Sequence, residues 1–244
     1  MTSTEAMIYQ LKNLKGKPLK QKLEHIITYF WLPIAVVLAI LIFSVSYIVH
    51  VVTMKDEALN VICLNALAYS EQTQTYMDSF AEAAGIDLEE YAVRLSADLT
   101  ISDEDMAGSY DSVQILVAQV AAQSVDILAA DTQTITRYFY QDFFPDLREV
   151  LSAQQQEKYA PYYLYMDLAV LEQVQENFES VPEYPDPTKP DAMVEPVPVA
   201  LMLPEKGDFT TLCYLYAADH AAVSVLGNTE NLDNALAFLD YIME

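Results

Sequence analysis

Few residues in this chain have the type and spacing that chemistry requires. The best metal candidate is DEDMAG at 103–108, which sets Asp103 and Asp105 at the first and third positions of a calcium loop and Gly108 at the sixth. The remaining ligands are wrong: the fifth position is Ala107, and the twelfth, where a bidentate glutamate is needed, is Gln114. An acidic turn before a helix is therefore expected there. His220, beside Asp219, has no second histidine to complete a metal pair and no serine in a nucleophile motif, so it reads as polar surface. With 5 glycines in all, the chain carries no dinucleotide-binding, P-loop or nucleophile-elbow signature. No cofactor, no metal and no catalytic residue is expected, and the protein is not expected to be an enzyme. Cys63 and Cys213 are the 2 cysteines, both among apolar residues in what read as buried strands. Buried free thiols are expected, with pairing open to them only if those strands are neighbours in an oxidising compartment.

Aromatic residues gather in RYFYQDFF (Tyr138, Phe139, Tyr140, Phe143, Phe144) and KYAPYYLY (Tyr159, Tyr162, Tyr163, Tyr165). Their spacing assigns most of them to core, with some of the 17 tyrosines left as plain surface or a contact patch for a sugar, peptide or protein.

The elements that must position these groups alternate. Ala58–Ala66 is an apolar run suited to a strand covered on both faces. Glu71–Ala84 places Tyr76, Met77, Phe80, Ala81 and Ala84 at helical spacing, with Gly85 at a C-cap. Tyr91–Ile101 alternates with period two, as an edge strand does. Ser109 or Asp111 is suited to cap a second helix with the stripe Val113, Leu116, Val117, Val120 and Ala121. Val125–Ala130 follows as a short buried strand, and Asp131 with Thr132 caps a third helix carrying Ile135, Tyr138 and Phe139. The order predicts an α/β domain with a mostly parallel sheet. Beyond it, the pattern predicts a helix over 147–158, a strand over 162–166 and a helix over 168–178. Six of the 11 prolines lie in 181–198, which reads as an extended connection that is neither helix nor central strand. Strands are expected at Val199–Leu203 and Leu212–Ala217, and a closing helix at Glu230–Ile242.

The charge is divided sharply. The net value of -24 separates after Lys55 into 6 lysines against 2 acids over residues 1–55 and 6 basic residues against 34 acids over 56–244, that is +4 and -28. An acidic domain of this kind disfavours nucleic acid as a partner. From Ile26 to Met54 no residue carries a formal charge, and Phe30 to Val49 is long enough, at about 1.5 Å per residue, to cross a bilayer core. Tyr29 and Trp31 at one end and Tyr47 at the other suit the headgroup boundary. Lys12, Lys15, Lys17, Lys20 and Lys22 precede the segment, which predicts a cytoplasmic N-terminus. The organisation expected is a basic leader over 1–28, either an interfacial helix with Pro18 in its first turn or a simple positive-inside flank, a single transmembrane helix over 29–52 that remains uncleaved as a signal-anchor in the cell membrane, and an acidic extracytoplasmic α/β domain over 56–244.

Two stretches resemble a known family. Residues 114–151, QILVAQVAAQSVDILAADTQTITRYFYQDFFPDLREVL, are similar to the first lobe of type 2 extracytoplasmic solute-binding proteins, with Pro145, Asp146 and Leu147 resembling that family's docking turn. Residues 222–243, AVSVLGNTENLDNALAFLDYIM, resemble its strand, Asn, helix element, with Asn228 at the junction. Residues 56–244 are too few for two full lobes, so the chain resembles one lobe with a shortened insert. The resemblance implies a solute-binding-like or transporter-accessory protein at the bacterial cell surface, with a small-molecule or peptide ligand and a transporter permease as partner. A scaffold contacting a permease without any small molecule is the alternative, and an unidentified enzyme is the third reading. Open α/β sheets bind at the carboxyl ends of their strands, which singles out Tyr69 and Ser70 after the first strand and Asp131 and Thr132 after the third.

Overall fold

The computed structural model describes residues 18–53, 55–102, 106–176, 183–215 and 220–243, in two units, 1–54 and 55–244. The first holds one helix, α1 (Leu19–Thr53), of 35 residues. It starts directly after Pro18, whose fixed φ suits a first turn. The segment expected as a separate interfacial helix is continuous with the rest of α1. Its described side chains between Trp31 and Val49 are exposed all round. Among the described residues, no helix is long and apolar enough to cross a membrane.

The second unit is an α/β fold. Its elements run β1 (Asp56–Cys63), α2 (Ser70–Ala84), β2 (Tyr91–Ser96), α3 (Met106–Ala121), β3 (Ile127–Asp131), α4 (Thr132–Phe139), α5 (Leu147–Val150), α6 (Ala153–Tyr159), β4 (Tyr163–Asp167), α7 (Leu168–Glu176), β5 (Pro196–Met202), α8 (Asp208–Tyr214), β6 (Ala221–Val225) and α9 (Leu232–Ile242). The sheet order is β2-β1-β3-β6-β5-β4, with β2 at one edge as its period predicts. Successive residues of β1 and β3 face opposite sides. Val61, Cys63, Ile127 and Ala129 join a core with Met77, Phe80, Phe209 and Phe238. Ile62, Leu64, Leu128 and Ala130 join another with Leu116, Ile135 and Phe139. In α2 the buried side chains are Thr73, Met77, Phe80 and Ala81, and Gly85 at φ 71 ends the helix. That left-handed turn suits glycine.

The sheet is mixed, which corrects the mostly parallel sheet expected. β1 pairs with β2 and β3 in parallel, but β3 with β6, β6 with β5 and β5 with β4 are antiparallel. Strands buried on both faces, such as β6, read as apolar runs whichever way they point, so periodicity carries no direction.

The proline-rich stretch also departs from expectation, since Pro196 and Pro198 lie on β5, an interior strand. Its geometry explains their tolerance. Pro198 faces Tyr165 and Pro196 faces Asp167, and the Tyr165 N–H points away from β5, donating to the Pro187 carbonyl at 2.8 Å. The two prolines thus occupy positions where no N–H is asked of them. Leu164 pairs with Ala200 but Tyr165 with Pro198, which leaves Val199 as the extra residue of a bulge. The buried Ser224 hydroxyl donates to the Val199 carbonyl. Past the bulge the facing changes: Val199 packs on one core and Leu201 on the other.

Four further corrections are local. The strand expected at Leu212–Ala217 is, as far as it is described, the end of helix α8 and a turn. Phe209, Thr210, Cys213 and Tyr214 are its buried face, a helical spacing, so Cys213 is a helix residue; residues 216 and 217 lie outside the described set. Helix α3 begins at Met106, ahead of both residues expected to cap it. Ser109 instead accepts from the Ser102 N–H at 2.8 Å, and Asp111 is exposed mid-helix. The acidic residues Asp103, Glu104 and Asp105 lie outside the described residues. β2 stops at Ser96 because β1 turns away after Cys63, yet Leu99 and Ile101 remain buried. The helix expected over 147–158 is broken at Leu151 and Ser152, where the Ser152 and Gln155 side chains form a reciprocal capping box.

Candidate functional site

Because β1 and β3 are parallel, their carboxyl ends share one edge of the sheet. β6 begins there, with Ala221 opposite Asp131. The residue that organises this edge is Asn65, at φ 54 in the turn after β1. Its Nδ2 donates to Asp131 Oδ2 and to Thr134 Oγ1, both at 2.9 Å. Its Oδ1 accepts from the Ile101 N–H at 2.8 Å. Asp131 accepts from the Thr134 N–H at 2.9 Å and so caps α4. Both Asp131 oxygens are therefore engaged within the fold. Sequence reasoning passed over Asn65, although an amide closing the apolar run VICLN, in a residue type that tolerates the left-handed region, was a usable signal.

Thr132 follows. Its Oγ1 donates to the His220 carbonyl at 2.6 Å and its N–H to the same oxygen at 2.8 Å. It lines a cavity of about 420 Å³ together with Gln133, Thr136, Tyr184, Met202 and His220, a volume in the range of small-molecule sites. One wall is the 184–188 turn. Tyr184 stacks on buried Tyr140 with ring centroids 4.3 Å apart and planes at 5°. Asp186 bonds the Thr188 hydroxyl at 2.7 Å and pairs with Lys189 Nζ at 2.7 Å. Lys189 and then Thr188 hold the Asp186 carboxyl down at about 2. The turn is anchored through the Tyr165 N–H to Pro187 carbonyl bond, and the return to β5 by Asp167. That buried carboxylate accepts from the N–H groups of Ala169, Val194 and Glu195 at 2.8–3.1 Å.

The other two expected residues lie elsewhere on the carboxyl side. Tyr69, 72% exposed, precedes α2 and makes no side-chain cap, while Ser70 opens the helix. Neither lines the Thr132 cavity. They precede a separate groove between α2 and α8. Of the residues expected at a membrane boundary, Trp31 and Tyr47 are exposed on α1, and the Tyr29 side chain lies outside the described set.

Acid-base chemistry finds little support in these groups. His220 Nδ1 stands 3.5 Å from Glu205 Oε1, both well exposed. Among the described residues, no group of three His, Cys, Asp or Glu side chains is placed to hold a metal ion. Cys63 and Cys213 are free and buried. Burial first, then its neighbour Cys213, pushes the Cys63 thiol well above its ordinary range. Burial likewise raises Tyr214, whose hydroxyl donates to the Leu64 carbonyl at 3.2 Å. The cavity thus offers shape, a tyrosine edge, an amide and an imidazole, groups suited to binding.

No protein family and no curated protein sequence matches the chain. Among solved structures, it is similar to the periplasmic binding protein P5PA, at 12% identity and a TM-score of 0.33, over 76% of this chain and 79% of that one. A TM-score this low does not establish a shared fold.

Proposed function

We propose that this chain is a non-catalytic, solute-binding-like protein anchored in the bacterial cell membrane by one helix, with its N-terminus cytoplasmic and its α/β unit outside, working beside a transporter permease. The observation that carries the binding role is the cavity of about 420 Å³ at the carboxyl edge of the sheet, which has Thr132 in its wall and a well-anchored turn for a rim. The anchor is supported by the uncharged run from Ile26 to Met54, the lysines ahead of it, and the apolar side chains exposed all round α1. A helix apolar on every side needs either a protein core or lipid around it. The described side chains of α1 run unbroken only over 34–49, and the proposed span of 29–52 extends beyond them on both sides. The permease partner rests on the resemblance of residues 114–151 and 222–243 to solute-binding proteins.

Thermal-shift screening of the detergent-solubilised full chain with sugars, peptides and cations tests the binding role. A ligand at 100 times its Kd adds about 2.7 kcal/mol, and the Tyr184→Ala and Thr132→Ala variants should lose that stabilisation. No shift with any class would sink the reading in favour of a scaffold that contacts a permease without a small molecule. That alternative draws on the internal hydrogen bonds that already occupy Thr132, Thr136 and Asp186. For topology, an impermeant thiol reagent on intact cells should modify Glu183→Cys and spare Lys12→Cys, since native Cys63 and Cys213 are buried. The reverse pattern would refute the orientation.

A further inference from the structure

A second concavity has a chemistry of its own. Glu71, Gln72, Thr75, Tyr76 and Ser79 of α2 recur at helical spacing along one wall of a groove of about 840 Å³. Asp208, Thr211, Leu212 and Leu215, from α8 and the residue after it, form the other. The eight steps from Glu71 to Ser79, at about 1.5 Å each, make a trough about 12 Å long. That length matches three to four residues of extended chain at about 3.3 Å each.

The lining carries two acceptor-only groups, the Glu71 and Asp208 carboxylates, and two hydroxyls whose protons are engaged within α2. The Thr75 hydroxyl donates to the Glu71 carbonyl at 2.9 Å and that of Ser79 to the Thr75 carbonyl at 3.0 Å, which leaves only their oxygen lone pairs facing outward. Among the described residues, no lysine, arginine or histidine lines the groove. Glu71 and Asp208 form no ion pair among the described residues. Asp208 also stands close enough to Tyr76 to raise its phenol, after burial and Tyr241. The lining also carries apolar surface in Leu212 and Leu215, the latter 59% exposed, and Leu67, tied to α8 by its N–H donating to the Cys213 carbonyl at 2.9 Å, is 67% exposed. Large exposed leucines beside unpaired carboxylates mark a contact surface better than a solvated face.

We propose that the groove between α2 and α8 docks a short peptide segment of a partner protein, one that carries a lysine or arginine beside leucine-like side chains. The cation would lie between Glu71 and Asp208 and the apolar side chains on Leu212 and Leu215. Charge argues for a foreign partner over a second copy, because residues 56–244 hold 34 acids against 6 basic residues and like charge repels. The groove is separate from the Thr132 cavity and does not depend on it.

The test is fluorescence anisotropy with a labelled lysine-leucine hexapeptide and its glutamate-leucine counterpart, titrated with the full chain in nonionic detergent. The basic peptide should bind, more weakly as salt rises, and the acidic one should not. The double variant Glu71→Gln with Asp208→Asn should weaken binding about tenfold, as two partly screened charge contacts predict. Leu215→Ser should weaken it independently. Glu89→Gln with Glu90→Gln, which removes the same charge in the exposed turn before β2, should leave it unchanged. Absence of binding, equal binding of the acidic peptide, or equal loss in the two charge variants would overturn the proposal. A lysine-leucine peptide displaced by free octylamine at equal concentration would overturn it as well, since the site would then be one for small amines.

Discussion

Asn65→Ala is the most informative single change, because one side chain closes three contacts at the carboxyl edge of the sheet. Removing its amide leaves the Ile101 N–H without a partner in a part-buried site, at about 1–3 kcal/mol. It removes two donors from Asp131 and Thr134, at about 1 kcal/mol together once water replaces part of them. Alanine must also adopt φ 54, which costs about 1 kcal/mol or more for a residue with a Cβ. The sum is about 3–5 kcal/mol. In a unit of this size each kcal/mol moves Tm by about 2–4 °C, so the melting point should fall by roughly 10 °C. Asn65→Gly loses the same hydrogen bonds but adopts the turn freely. After its greater unfolded-state entropy is counted, it should recover about 0.5–1 kcal/mol relative to alanine. Urea unfolding of the full chain in detergent, followed by near-ultraviolet circular dichroism, measures both. A loss below 1 kcal/mol for Asn65→Ala, or glycine less stable than alanine, would refute the assignment of Asn65 as the organiser of that edge.

Ser224→Ala should destabilise by about 1–3 kcal/mol because the Val199 carbonyl, set free by the bulge, loses its buried donor; chemical denaturation would read this, and a neutral result would mean that the carbonyl is otherwise satisfied. Asp186 has a depressed carboxyl, so its contribution is present above the unfolded value of 3.8 and disappears as pH falls through about 2. Solvent screening keeps that contribution below about 1 kcal/mol, and carbon-detected NMR of Lys189→Ala should show the Asp186 titration moved up toward 3.8. Cys63 and Cys213 should be inert to iodoacetamide in the folded protein and react when it is unfolded, as burial and the raised Cys63 thiol require; rapid labelling of the native protein would contradict the buried placement.

Much of the α/β unit was legible because local signals agreed. The Gly85 cap, the Asp131 cap, the α2 stripe and the edge position of β2 each rest on one residue type doing its usual work in a short window. The misses concern relations between distant segments. Prolines at 196 and 198 argued against an interior strand, and the argument was sound for any position whose N–H is needed. It failed because Tyr165 turns its own N–H outward to Pro187, a fact about strand phase that residues 181–198 do not contain. The apolar stretch around Cys213 resembled a strand because LCYLY is rich in apolar and aromatic residues. Only the inclusion of Phe209 and Thr210 exposes the helical period.

The candidate site was legible in position and less so in composition, for a related reason. The rule that α/β sheets bind at the carboxyl ends of strands selected residues adjacent in sequence to those ends, and Asp131 and Thr132 are indeed there. Such residues are also the ones a fold uses to cap the following helix, and Asp131 is consumed in that way by Thr134 and Asn65. What remains available at such an edge comes from segments that arrive from elsewhere: the 184–188 turn, Met202 at the end of β5, and His220. Their positions depend on the antiparallel half of the sheet, since β5 must run up to this edge and β6 must leave from it. The direction of two buried apolar strands therefore decides which side chains surround Thr132, and replacing either strand's direction would bring other loops to the edge while leaving every local pattern in the sequence unchanged.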